Sequence, residues 1–598
     1  MMNGFRGYLT FAIAVLTAFG GSGWAASAPI GAKVYDFQLP DVHGRLHKLS
    51  DFADSKALVL VFLGTECPLA NTYAPHLDKL AKSYADKGVA FVAVNSNIQD
   101  TLAKISAYIR RHEFTLPMLK DNDGRLADQV GAVRTPEVVV LDASRAIRYR
   151  GRIDDQFGVG YQQKAPTHTY LVDALEQILA GEPVAAPEVA AVGCFIGRTP
   201  KTDPTGDVTY SNQIARIFNR RCVECHRTGE LAPFPMTSYE EVLGWTDTIR
   251  EVVQEERMPP WFANPEYGEF KNDCRLSPEE KQLVFTWIDN GAPEGDPKDL
   301  PEPPQFASGW LIPEPDEVFY IAEKPVAIPA EGVVDYQYYT VDPGWKEDKW
   351  IQASECRPGN RGVVHHIIAF IERPGGSVLG MNRTGLGGYA PGMPPTHLEP
   401  GTAMFVPAGS KIVFQMHYTP NGREQEDLSC VGVKYADPST VKYVAHGGLA
   451  ANFMFRIPPH ADNHKVSSSY TFKRDTTLRS LTPHMHLRGK SFRFELEYPD
   501  GRREILLDVP KYDFNWQLRY ELAKPKPVPK GAKLLCTAHF DNSANNPANP
   551  DPNATVRWGD QTWEEMMIGW FSTVEERKFE KAGNDEQAAA SPKGDGDA

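Results

Sequence analysis

Apolar and polar positions fall into three regimes along the chain. From 34 to 185, buried-strand runs alternate with helical spacing: "ALVLVFLG" (57–64), "YAPHLDKLAKSYADK", "VAFVAVNS", "TLAKISAYIRRH", "PEVVVLDA" and "AIRYRGRID". Alternation of β and α at this length predicts an α/β layer domain, placed at 29–196. From about 205 to 296 the pattern is helical throughout: "SNQIARIFNRR", "SYEEVLGWTDTIREVVQEE" and "SPEEKQLVFTWIDNG". Ser277 reads as a helix start and Gly291 as a helix stop, so this is a small all-α module. A Pro- and acid-rich linker follows at 297–310. From 311 to 576 helical spacing nearly vanishes, and short alternating runs recur between Gly, Pro and Asn turns, such as "VVHHIIAFIE", "SKIVFQMHY", "SFRFELEYP" and "AKLLCTAHFDN". That is an all-β pattern, too long for one small sandwich, so two β domains are expected, 311–445 and 446–576. The tail 577–598 is low in complexity.

The 598 residues and 41% hydrophobic composition suit several ordinary folded domains. A net charge of −14 argues against a nucleic-acid partner. The first 28 residues carry Arg6, an apolar run from Tyr8 to Phe19 and small residues Ala25, Ala26 and Ala28, the layout of an export leader. The run is short for a spanning helix. The mature chain is therefore expected in the periplasm or outside the cell, without stable membrane insertion. The eight cysteines are too sparse for a disulfide framework.

"VFLGTECPLAN" sets Cys67 after a buried strand and before a helix, where backbone dipoles stabilise a thiolate. With Thr135-Pro136 ahead of a later strand, residues 29–196 resemble the thioredoxin-like redoxins. The resemblance implies a cis proline facing the thiol. The chain departs from Cys-x-x-Cys, because Ala70 stands three after Cys67, and the peroxidase spacing is also incomplete. Cys194 in "AVGCFIG" is a candidate resolving partner; an ordinary structural Cys67 is the alternative.

"RRCVECHR" is C-x-x-C-H, the spacing that bonds a haem through Cys222 and Cys225 and reaches its iron with His226. One covalent haem c is expected, in a cytochrome c-like module. Met258 in "ERMPPWF" is favoured as second axial ligand, since a group of small bacterial c-type domains shows a similar loop; Met236 competes. Cys274 has no assigned role.

In the β region His365-His366, His417 and the pair His484 and His486 are joined by Met566 and Met567 in "EEMMIGWF". Imidazole with thioether suits copper, above all Cu(I). "LTPHMHLRG" reads as a strand running on into "KSFRFELEY", which would put His484 and His486 on one face. Adjacent His365 and His366 can share a metal only at a bulge or strand end. The order H-H, Q-x-H-Y, H-x-H, E-E-M resembles the copper type II, ascorbate-dependent monooxygenases over both of their β-sandwich domains. The resemblance implies jelly-roll-like copper domains and two coppers per chain. His365, His366 and His417 would hold the electron-storing ion. His484, His486 and Met566, rather than Met567, would hold the ion that meets O₂.

Thr482 and Trp570 replace an Arg and a Tyr of the peptide-amidating members, which points away from a peptide terminus and toward an apolar or aromatic small molecule. Met567 stands where the family has a Cys, leaving Cys536 without that partner; Cys356–Cys430 is a candidate bond. His397, His446, His460, His464 and His539 match no motif. The expected function is hydroxylation of a C–H bond with O₂, with electrons from a periplasmic donor through the haem, an ascorbate-like donor, or both. The alternatives are a periplasmic redox and copper-handling protein with thiol–disulfide activity, and a thiol peroxidase acting through Cys67.

Overall fold

The computed structural model describes residues 28–200, 204–306, 309–330, 332–375 and 383–578. The expected leader and tail lie almost wholly outside these. Among the described residues no helix is long and apolar enough to cross a membrane.

The N-terminal domain is a six-stranded sheet with helices packed on it. Its elements are β1 (Ala57–Phe62), α1 (Pro68–Ala85), β2 (Val89–Asn95), α2 (Leu102–His112), β3 (Met118–Lys120), α3 (Arg125–Val130), β4 (Arg134–Thr135), β5 (Glu137–Asp142), β6 (Ile147–Gly151), α4 (Tyr170–Ala180), β7 (Glu188–Val189) and β8 (Cys194–Phe195). The sheet order is β7-β6-β5-β1-β2-β3, and β8 pairs separately with β4. All six residues of β1 are buried, because apolar cores cover both faces of this central strand. That explains its unbroken apolar run.

The helical module holds α5 (Ala215–Arg221), α6 (Tyr239–Leu243), α7 (Thr246–Gln254) and α8 (Pro278–Asp289). The long helix expected over 238–256 breaks at Gly244-Trp245 into α6 and α7. Ser277 does start α8, through a reciprocal capping box with Glu280. The module docks on the first domain through Arg134, which pairs with Glu251 at 2.5 Å, and through Phe195, whose N–H donates to Thr248 at 3.0 Å.

The β region holds β9 (Glu317–Tyr320), β10 (Gln337–Val341), β11 (Lys349–Arg357), β12 (Val364–Glu372), β13 (Arg383–Tyr389), β14 (Thr402–Val406), β15 (Lys411–Tyr418), β16 (Cys430–Tyr435), β17 (Tyr443–Ala451), β18 (His464–Thr471), β19 (Thr476–His484), β20 (Gly489–Glu497), β21 (Arg503–Val509), β22 (Tyr520–Val528), β23 (Lys533–Phe540) and β24 (Ile568–Glu576). Two sandwiches form. One large sheet, β9-β16-β11-β14-β17-β24-β19-β22, runs through both. Its first half packs on β10-β15-β12-β13 and its second on β18-β23-β20-β21. The halves join where β14 and β17 pair in parallel, Thr402 with Tyr443 and Ala403 with Val444. The expected boundary at 445 thus falls inside a strand, since the sheet continues where the domains change.

Two further expectations are corrected. His484 ends β19, and His486 lies in a turn closed by the Gly489 N–H on the His486 carbonyl at 3.0 Å. The following strand, β20, belongs to the opposite sheet. Cys356 and Cys430 are both free thiols. Cys356 pairs with Val431, so alternation turns Cys430 to the other face of the sheet.

The segment after α7 leaves the helical module and enters the core of the second sandwich. Trp261 and Phe270 are buried there, with ring centroids 4.8 Å and 5.5 Å from Tyr520. The Lys271 N–H donates to Glu521 at 2.8 Å and the Ala523 N–H to Glu269 at 2.8 Å, extending the edge strand β22. Trp261→Ala should cost about 3–5 kcal/mol through lost burial and a residual cavity. Hydrogen exchange checks it: the Lys271 and Ala523 amides should exchange faster while those of β1 and β2 keep their rates.

Candidate functional site

His366 and His417 face each other across β12 and β15, and the register slips between Val364 and His366. This bulge is the feature the adjacent histidines demanded, and it turns His365 to the same side. Nδ1 of His365 lies 3.2 Å from Nδ1 of His366. One nitrogen from each of His365, His366 and His417 falls within 4.8 Å of the others, a set able to hold a metal ion.

The second pair lies beside the first. The rings of His484 and His486 are 5.3 Å apart. Nδ1–H of His484 donates to the Gln517 side-chain oxygen at 2.8 Å, leaving Nε2 free. The turn bearing His486 is clamped by Glu565, whose carboxylate accepts the His486 N–H at 2.8 Å and the Arg488 N–H at 2.6 Å. Burial pushes the Glu565 carboxyl up to about 8, against those two N–H donors. Alternation separates the methionines. Met485 and Met567 lie in the core of the second sandwich, whereas Met566 is buried outside that cluster, two residues before Ile568, the partner of His484.

Tyr336 and Phe514 knit the two groups together. The Tyr336 ring centroid is 4.8 Å from His417, 5.4 Å from His366 and 6.4 Å from His486. Phe514 is 5.5 Å from His365 and 5.9 Å from His486. Burial holds all five imidazoles below their usual pKa, His365 at about 4 and His486 at about 3. They are neutral at pH 7. Nε2 of His366, Nδ1 of His417 and Nε2 of His486 are buried without a hydrogen-bond partner. Orphaned imidazole nitrogens converging from two domains are costly unless they bind something, and neutral imidazole is a metal ligand.

Two cavities reach this centre. One, of about 300 Å³, is lined by His366, His484, Leu386, Tyr389, Met404, Thr482 and Trp570, and His397 and His446 also lie on its wall. The other, of about 1480 Å³, has Met258 and Arg221 on one side and His365, Tyr512 and Phe514 on the other. In the helical module Cys222, Cys225 and His226 form a single turn, with the His226 N–H donating to the Cys222 carbonyl at 2.9 Å. Nδ1–H of His226 donates to the Phe234 carbonyl at 2.9 Å, freeing Nε2. Met236 is part of the module's core; Met258 lines the larger cavity.

Cys67 caps α1, and its thiol donates to the Thr135 carbonyl at 2.9 Å. The Thr135-Pro136 bond is cis, as the redoxin likeness implied. Burial pushes the Cys67 thiol up. Hydrogen bonds from the Cys194 thiol and N–H, the Ala70 N–H and the Thr135 side chain outweigh it and bring the thiol down to about 6.

Sequence reasoning missed Tyr336, Phe514, Gln517 and Glu565 as site residues. The consecutive "EEM" and the aromatic cluster in "YDFNWQ" were the available signals.

Residues 30–153 match the family model described as AhpC/TSA family. The chain is 26% identical over 119 residues to the thiol-disulfide oxidoreductase ResA of Geobacillus thermodenitrificans, covering 20% of this chain and 67% of that protein. It is 32% identical over 154 residues to the thiol:disulfide interchange protein DsbE of Pseudomonas aeruginosa, covering 25% of this chain and 81% of that protein. A ResA of Halalkalibacterium halodurans is 27% identical over 115 residues, and the chain spans 64% of its length. A solved hypothetical protein, SMc02350 from Sinorhizobium meliloti 1021, shares 35% identity over 28% of this chain and 94% of its own, at a TM-score of 0.27.

With its pKa held near 6, Cys67 should be a thiolate at pH 7 and lose that character as pH falls through 6. Thiolate ultraviolet absorbance of wild type minus Cys67→Ser should titrate there, well below the roughly 8.5 of a free cysteine.

Proposed function

The chain belongs, through residues 30–153, to the AhpC/TSA family of thioredoxin-like domains, and from that premise we propose an exported oxidoreductase whose second centre is a copper site that hydroxylates a small organic molecule with O₂. The observation that carries the proposal is the convergence of five neutral imidazoles, three with orphaned nitrogens, at the seam of two sandwiches. His365, His366 and His417 would hold one copper. His484, His486 and Met566 would hold the other. A nitrogen-and-thioether set fits copper better than zinc or magnesium. Bound there, copper would supply one-electron cycling and activation of O₂.

The chain's own residues do the rest. Gln517 fixes the His484 tautomer so that Nε2 is the free atom. Glu565 holds the His486 turn in place. The smaller cavity would bring an apolar ligand against His366 and His484. Phe514 and Tyr336 fill the seam between the groups. A haem bonded to Cys222 and Cys225 and held by His226 and Met258 would supply electrons. Support for that route comes from the larger cavity, which has Met258 and His365 on its walls.

A second reading, a periplasmic redox and copper-handling protein without hydroxylation, is favoured by the thiol–disulfide relatives and by the depressed Cys67 thiol. Oxygen uptake separates the two. Copper-loaded, reduced protein should consume O₂ in step with a hydroxylated product, and Met566→Ala should abolish that while altering the electron paramagnetic resonance of only part of the bound Cu(II). Metal binding without coupled uptake, over a panel of apolar substrates, would leave the second reading standing. Gln517→Leu should weaken copper binding by about 10–100-fold, the usual scale for losing a histidine-orienting partner, as read by competition with a chelator.

A further inference from the structure

We propose that Cys67 and Cys194 are a redox-active pair that cycles between a dithiol and an internal disulfide, exchanging electrons with a disulfide-bearing partner. The inference is independent of the copper centre. Ala70 occupies the position from which a Cys-x-x-Cys motif would resolve Cys67. The fold supplies a thiol from elsewhere. β8 pairs antiparallel with β4, setting Cys194 directly opposite Thr135. The Thr135 carbonyl is the group that accepts from the Cys67 thiol. The two cysteines, remote in sequence, therefore meet at the N-terminus of α1 and share a hydrogen bond.

This approach is built into the backbone. Gly193, at φ +146°, passes so close to β4 that a Cβ there would lie 2.0 Å from the Thr135 carbonyl oxygen. Any other residue would push β8, and Cys194 with it, away from Cys67. Arg134 fastens the same strand, donating to the Gly193 carbonyl at 2.7 Å and stacking 4.0 Å from the Phe195 ring. Both thiols are free in the structure, which is the reduced form. The helix N-terminus favours negative charge on Cys67, making it the better nucleophile when the bond forms and the better leaving group when it opens.

The chemistry balances without a cofactor. Oxidation joins the two sulfurs and releases two protons and two electrons. The partner's S–S bond breaks, and its two sulfurs take them up as two thiols. The pair also lies on the seam between modules, because Phe195 and Arg134 bind Thr248 and Glu251 of α7.

The test is disulfide mapping of the full-length protein across a series of reduced-to-oxidised glutathione ratios, with alkylation and mass spectrometry. Cys67 and Cys194 should lose alkylation together, and a peptide pair linked through them should appear and vanish with dithiothreitol. In Cys194→Ser, Cys67 should stay alkylatable or carry glutathione at ratios where the wild-type pair is closed. The proposal is overturned if both cysteines remain alkylated at every ratio, or if either bonds to a different cysteine. The wild-type map decides the matter even if the variant does not fold.

Discussion

Five imidazoles kept neutral at one seam are the constraint around which the β region is arranged. Burial drives every one below its ordinary pKa, and for His366, His417 and His486 the neighbouring imidazoles push the same way. Such a seam holds only if the walls cannot part. The shared sheet contributes to that: β14 and β17 pair across the domain change, so one sheet runs through both sandwiches. Glu565 and Arg488 then lock the turn carrying His486, and Arg488, itself buried, donates to Asn542 at 2.8 Å and to the Trp563 carbonyl at 2.9 Å. A buried carboxyl and a buried guanidinium are an expensive way to hold a turn in an apolar core, and here they stand directly behind His484 and His486.

The helical module is tied in from both sides. Its far loop is built into the second sandwich by Trp261, Phe270 and the strand-like pairing with β22. Its near helix, α7, is pinned to the redoxin domain beside the thiol pair. Met258 lies on the stretch between these anchors, which fixes the larger cavity between the C-x-x-C-H turn's module and His365. The Cys67, C-x-x-C-H and histidine segments, which the sequence presents as separate blocks, thus lie in domains that share walls in space.

What the sequence disclosed depended on whether the signal was local. The HH dipeptide required a bulge or a strand end if both imidazoles were to share a face, and a bulge is present. The capping box at Ser277 and the buried strand at 57–62 were equally local. The strand through "HMHLRGKSF" was misread because alternation persists across a tight turn, and only Gly489 hinted at the break. Met566 and Met567 were separable by family likeness alone until the strand register showed which one enters the core. Tyr336, Phe514 and Gln517 come from remote strands and loops; the aromatic cluster around Phe514 and Gln517 is a faint local signal, and Tyr336 has none. Cys194 met Cys67 through a two-residue strand, too short to leave a pattern.

The smaller cavity combines apolar surface with a few charged groups. Three cations on its wall face two carboxylates: Lys271 and Arg479 share Glu399, at 3.3 Å and 2.5 Å, and Arg519 pairs with Glu521 at 3.1 Å. Arg519 also donates to the Pro394 and Pro395 carbonyls. Thr482 and Trp570, close to His484, add a hydroxyl and an indole but no charge. The rest of the lining includes Leu386, Tyr389, Met393, Met404 and Phe370 beside the hydroxyls of Ser480, Ser572 and Thr573, with Gly385, Gly387 and Gly388 leaving the space open. Apolar surface makes up most of the wall, and its charged groups gather at Glu399 and Glu521 with one positive charge in excess.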